Sequence, residues 1–76
     1  MKMDILREAN YVYNFDRDLY FNRRTRKAFS FPFLDDHGEE EVARCIQESP
    51  ANDGWKFYFN FPPSGKERRE LERVLE

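Results

Sequence analysis

One histidine, His37, and one cysteine, Cys45, are the residues of this 76-residue chain best suited to imidazole or thiol chemistry. On a helix their separation spans about two turns, too far for a Cys–His pair to form directly. His37 stands among Asp35, Asp36, Glu39, Glu40 and Glu41. That density of carboxylates could contact a cation, but it lacks the alternating spacing of a calcium loop. It reads better as the acidic first turn of a helix, where the helix dipole favours negative charge. Cys45 precedes Ile46 and reads as a small, half-buried apolar residue. Gly38, Gly54 and Gly65 are isolated, so no phosphate-cradling motif occurs. No catalytic residue, metal site or cofactor is expected, and the chain reads as non-enzymatic.

Binding chemistry is better represented. Arg23, Arg24, Arg26 and Lys27 place four cations within five residues. Strand alternation puts Tyr20, Asn22, Lys56, Tyr58 and Asn60 on one sheet face beside that cluster. Exposed rings among polar donors next to a basic loop can stack bases while cations hold phosphates, which is how single-stranded nucleic acid is bound. Against that use, Lys56-Phe57-Tyr58-Phe59 lacks the glycines of the RNA-recognition strand motif, and the isoelectric point is about 5.4. The expectation is therefore an interaction protein that binds another protein, or a second copy of itself, through this outer face and the basic hairpin. Single-stranded nucleic acid is the alternative partner.

The net charge of −2 conceals a reversal along the chain: residues 1–33 carry +3 and residues 34–76 carry −5. Such a dipolar surface can steer a charged partner. Although 37% of residues are charged, 18 of 76 are Leu, Ile, Val or Phe, above the roughly 20% below which disorder is the default. All thirteen aromatic residues fall between Tyr11 and Phe33 or between Trp55 and Phe61. The length suits a single domain over residues 1–76. One cysteine excludes an internal disulfide and fits a reducing compartment. No apolar run approaches the roughly 18 residues of a membrane span, and Asp4 and Glu8 interrupt the segment where a signal peptide would be apolar. A cytoplasmic protein without a membrane partner is expected.

The elements that must position these side chains follow from periodicity. Residues 1–10 read as a short helical turn or a loose arm. Tyr11, Tyr13 and Phe15 alternate as a strand, Asp16-Arg17-Asp18 turns the chain, Leu19 to Asn22 forms a second strand, and Lys27 to Phe31 a third that ends at Pro32. An odd-length loop around Thr25 would set Phe21 opposite Phe29 and Leu19 opposite Phe31, segregating apolar from polar side chains. A helix capped by Asp35 or Asp36 runs through Val42, Ala43 and Ile46 to Ser49-Pro50. Trp55 to Phe61 alternates most strongly and is expected as a central strand. Ser64 caps a last helix, Gly65 to Glu76, with Leu71, Val74 and Leu75 inward. The predicted fold is α+β, in the order β-β-β-α-β-α. It comprises a three- to four-stranded, mainly antiparallel sheet with two short helices packed on one face. The buried face would comprise Leu19, Phe21, Phe29, Phe31, Trp55, Phe57, Phe59 and Phe61, leaving Tyr20 and Tyr58 on the open side.

Overall fold

The computed structural model describes residues 1–50 and 53–76; Asn52, which the sequence places in a turn with Asp53 and Gly54, lies outside the described residues. The chain forms α1 (Lys2–Glu8), β1 (Val12–Asn14), β2 (Leu19–Asn22), β3 (Lys27–Ser30), α2 (Phe31–Asp36), α3 (Glu39–Gln47), β4 (Lys56–Tyr58) and α4 (Gly65–Leu75). The fold is α+β, with one four-stranded sheet in the order β1-β2-β3-β4. Its Cα radius of gyration is 11.4 Å. That is the compactness of a folded domain of this length.

Both hairpins are built on the same turn. β1 and β2 are joined by Phe15–Asp18, and β2 and β3 by Arg23–Arg26. Each loop follows an asparagine whose side-chain oxygen accepts backbone N–H groups. Asn14 takes that of Arg17 at 2.8 Å; Asn22 takes those of Arg24 at 2.8 Å and Thr25 at 3.1 Å. Each loop closes on a residue in the left-handed region, Asp18 at φ 55° and Arg26 at φ 58°. A four-residue loop has even parity, which corrects the odd loop expected around Thr25. The register is Leu19↔Ser30, Tyr20↔Phe29, Phe21↔Ala28 and Asn22↔Lys27. Phe21 and Phe29 thus lie on opposite faces, and side-chain oxygens that satisfy turn N–H groups outweigh the tidier segregation of polarity.

That segregation is unnecessary because the sheet is covered on both faces. On one, Tyr20 and Phe29 pack with Leu6, Tyr11, Phe33, Leu34 and Val42, under α1, α2 and α3. On the other, Leu19, Ala28 and Trp55 pack with Leu71 and Leu75 of α4, flanked by Phe21, Phe57 and Phe59. The expected arrangement of two helices on one face is therefore corrected to helices on both. The N-terminal segment is no loose arm: α1 seats Leu6 in the core with no exposed surface. Of the expected buried stripe, Phe29 belongs to the opposite face, Phe31 opens α2, and Phe61 is exposed, as is Val74 of α4.

Pro32 ends the third strand as expected, but by starting a helix. Ser30 caps α2 by accepting the Phe33 N–H at 3.3 Å. Proline fits the first helical turn because its missing N–H would have no partner there. Helices α2 and α3 carry the chain back along the sheet, so β4 pairs with β3 in parallel, Lys27↔Lys56 to Phe29↔Tyr58. The sheet is mixed, and β4 is an edge strand where the alternation suggests a central one. Ser64 caps α4 as read from sequence, accepting the Glu67 N–H at 3.2 Å. Arg68 and Glu72 of α4 then grip the start of β4: Arg68 donates to the Trp55 carbonyl, and Glu72 accepts the Trp55 N–H at 3.3 Å. Gly54 holds the approach, at φ 74° and with space for a Cβ only 2.9 Å from the Glu72 carboxylate. Only glycine takes that conformation without strain. Among the described residues the buried Trp55 indole N–H has no acceptor.

Candidate functional site: the two ends of the sheet

At the β2–β3 turn, three helix C-termini converge on the basic cluster. Helix C-termini present carbonyls without intrahelical partners and a partial negative charge, which cations and amide donors satisfy. The Lys27 ammonium, fully buried, donates to the carbonyls of Cys45 at 2.8 Å, Ile46 at 3.1 Å and Glu48 at 2.6 Å, closing α3. Burial, and secondarily Lys56, pushes the Lys27 pKa down. The Asn22 amide donates to the carbonyls of Ala9 at 3.1 Å and Asn10 at 3.3 Å, just past α1. Arg23 donates from Nε to the Leu75 carbonyl at 2.7 Å, closing α4, while its guanidinium lies 5.6 Å from the Phe21 ring centre. The remaining helix, α2, is closed from elsewhere: Lys2 donates to the carbonyls of Leu34 and His37.

The residues singled out in the sequence are thus largely committed to packing. Tyr20, Asn22, Lys56 and Tyr58 do share a face, as alternation implies, but α1, α2 and α3 cover it. Tyr20, Asn22 and Lys27 are buried, which corrects their expected place on an open surface. Tyr58 is half-buried and stacked flat on Phe29, ring centres 4.6 Å apart, and its hydroxyl donates to the Glu48 carboxylate. Burial and that carboxylate raise the Tyr58 pKa well above its usual value, while the Tyr58 and Lys56 hydrogen bonds lower that of Glu48. Lys56 reaches Glu48 at 3.3 Å, and Asn60 donates to Asp36 at 2.7 Å. Of the cluster, Arg24 and Arg26 are exposed, with no side-chain hydrogen bond or ion pair among the described residues.

His37 and Cys45 make no hydrogen bond to each other among the described residues. The His37 ring stacks on Phe33 at 3.9 Å, with Nδ1 2.7 Å from the Phe33 carbonyl and Nε2 3.5 Å from Glu41. Burial pushes the Cys45 thiol pKa up, opposite to the activation a nucleophile needs. Among the described residues no three His, Cys, Asp or Glu side chains converge to hold a metal ion, and no helix is long and apolar enough to cross a membrane.

The opposite end of the sheet carries rings that nothing covers. Phe15, in the β1–β2 turn, is 83% exposed, and Phe61, beyond β4, is 86% exposed. They end a strip that crosses the sheet: Phe15 meets Tyr13 edge-on at 6.4 Å, Tyr13 meets Phe31 at 5.5 Å, and Pro32 shares a cleft with Phe61. The cleft lined by Ser30, Pro32, Phe59, Asn60 and Phe61, about 170 Å³, adjoins one of about 210 Å³ between β2 and α4. Both share Ser30 and Phe59, so the larger forms a trough beside the smaller. Alternation alone places Phe15 and Phe61 within strands. The signal against that is their setting, Phe15 between Asn14 and Asp16 and Phe61 just before Pro62-Pro63, where strand packing ends.

No family model, curated protein or solved structure matches the chain.

Proposed function

We propose that this chain is a small interaction protein that works by binding another protein, and that it does so through the aromatic end of its sheet. The observation that carries this reading is the exposure of Phe15 and Phe61 on a molecule that otherwise covers both faces of its sheet. Each ring left in water forgoes roughly 2 kcal/mol of transfer free energy that burial would supply. Contiguous exposed apolar surface of this kind marks contact sites on small proteins. The surrounding charges favour a different protein over a second copy. Asp16, Asp18, Asp36, Glu67 and Glu70 lie around this end against Arg17, Lys66 and Arg69, an acidic excess. Two such ends meeting symmetrically would oppose like charges.

Single-stranded nucleic acid finds less support, since Tyr20 is buried and Tyr58 is already stacked on Phe29, leaving Arg24 and Arg26 without exposed rings beside them. The test is affinity capture with purified wild-type protein, a Phe15→Ser/Phe61→Ser variant and an Arg24→Glu/Arg26→Glu variant. Partner recovery should fall at least tenfold with the aromatic variant and persist with the charge-reversed one. The opposite pattern, lost on charge reversal and kept without the rings, contradicts the proposal.

A further inference from the structure

The trough at the aromatic end has one apolar floor and one acidic wall. Leu19, Phe59 and Leu71 line its deeper part, and Glu67 and Glu70 stand on α4 beside them. Arg17 crosses the opening to bond Glu70 at 3.0 Å. Glu67 has no such counterion: among the described residues its carboxylate makes no ion pair or hydrogen bond, while its backbone N–H donates to the Ser64 hydroxyl. An incoming group thus meets a slot of about 210 Å³ with Leu19, Phe59 and Leu71 on its floor, a free carboxylate and a second whose charge is partly matched. The exposed Phe61 ring lines the neighbouring cleft, which shares Ser30 and Phe59 with this one.

Resting on the reading of this end as a protein-binding surface, we propose that the occupant is a cationic, apolar peptide segment of the partner. It would place an aliphatic side chain between Leu19, Phe59 and Leu71 and a neighbouring Lys or Arg against Glu67. Charge complementarity is the argument for this occupant: an acidic segment would meet Glu67 and Glu70 with like charge, and an uncharged one would leave Glu67 without a counterion. Arg17 sharpens the selection. Where the entering cation reaches Glu70, it competes with Arg17, so the segment's charge is read at Glu67 first.

The test is a titration of the ¹⁵N-labelled full chain with two short peptides of equal length, one alternating leucine with lysine and one alternating leucine with glutamate, at low and at physiological salt. The lysine peptide should shift the amides of Leu19, Ser30, Phe59, Phe61 and Leu71, bind at least tenfold tighter than the glutamate peptide, and weaken as salt rises. Glu67→Lys, at an exposed position outside the ion pairs of the described residues, should cut that affinity about tenfold while the amide spectrum elsewhere stays unchanged. Equal binding of both peptides at the trough overturns the cationic occupant and leaves the aromatic end as a contact surface. Shifts confined to Arg24 and Arg26, or self-association at this end in sedimentation, overturn both readings.

Discussion

The turns at the two ends of the sheet are built alike: an asparagine, then four loop residues of which the last is left-handed. One projects Phe15 into solvent, and the other projects Arg23, Arg24 and Arg26. By side-chain type alone the arginine turn looks like the functional one and the phenylalanine turn like core. Their surroundings reverse that. The arginine turn lies where α1, α3 and α4 end, so Asn22, Arg23 and Lys27 meet carbonyls that would otherwise lack partners, and only Arg24 and Arg26 of the cluster are left over. The phenylalanine turn lies where α2 and α4 begin, and Ser30 and Ser64 already serve the N–H groups there. A side chain is available for binding when the local backbone has no use for it. Basic and aromatic content alone do not decide the matter.

The largest expected effect tests the structural use of the basic end. Lys27→Ala leaves the carbonyls at the end of α3 unsatisfied around a cavity and should lower unfolding stability by about 3 kcal/mol, read from urea unfolding by Trp55 fluorescence. A loss under about 1 kcal/mol would break the comparison. Next, the paired turns separate the turn itself from its setting. Asn22→Ala removes the turn bonds and both donations to the α1 end. Asn14→Ala removes a turn bond alone. The first should cost about 2 kcal/mol and the second less than about 1 kcal/mol, in proportion to the hydrogen bonds lost. Equal losses would mean that the helix contact is idle. Arg23→Ala, at an exposed cap, should cost about 0.5–1 kcal/mol.

The smallest effect is in pH dependence. Glu48 has a lowered pKa when folded, so its contribution is fully present above about 4.5 and is lost as pH falls through that lowered value. Tyr58 has a raised pKa when folded, so stability falls as pH rises above about 10, where the unfolded chain ionises first. Glu48→Gln should flatten the acid limb of a stability–pH curve and moderate the alkaline one. Unchanged limbs in that variant would separate Glu48 from Tyr58.

How far the sequence is legible follows the same division. The α4 cap at Ser64 and the shared face of Tyr20, Asn22, Lys56 and Tyr58 are readable, since capping and alternation are local rules. What covers that face is not. α1 has seven residues and a weak apolar pattern, and its only buried residue is Leu6, so nothing local announces that it closes a sheet. Strands this short fix no register by periodicity; the Asn-based turns do so, through parity. The parallel pairing of β4 depends on α2, a helix with Pro32 in its first turn where the sequence suggests only a strand end. Lys27 reads as a surface cation because lysine is rarely buried. Its acceptors are carbonyls of a helix end far along the chain, and carbonyls have no residue type to signal them.

The central claim, that the basic end is invested in the fold and the aromatic end is not, is tested most directly by unfolding Phe15→Ser/Phe61→Ser in urea beside Lys27→Ala. The aromatic variant should keep wild-type stability within about 0.5 kcal/mol, as exposed positions do, while Lys27→Ala shifts the midpoint strongly downward. A destabilised aromatic variant beside an unaffected Lys27→Ala would contradict it.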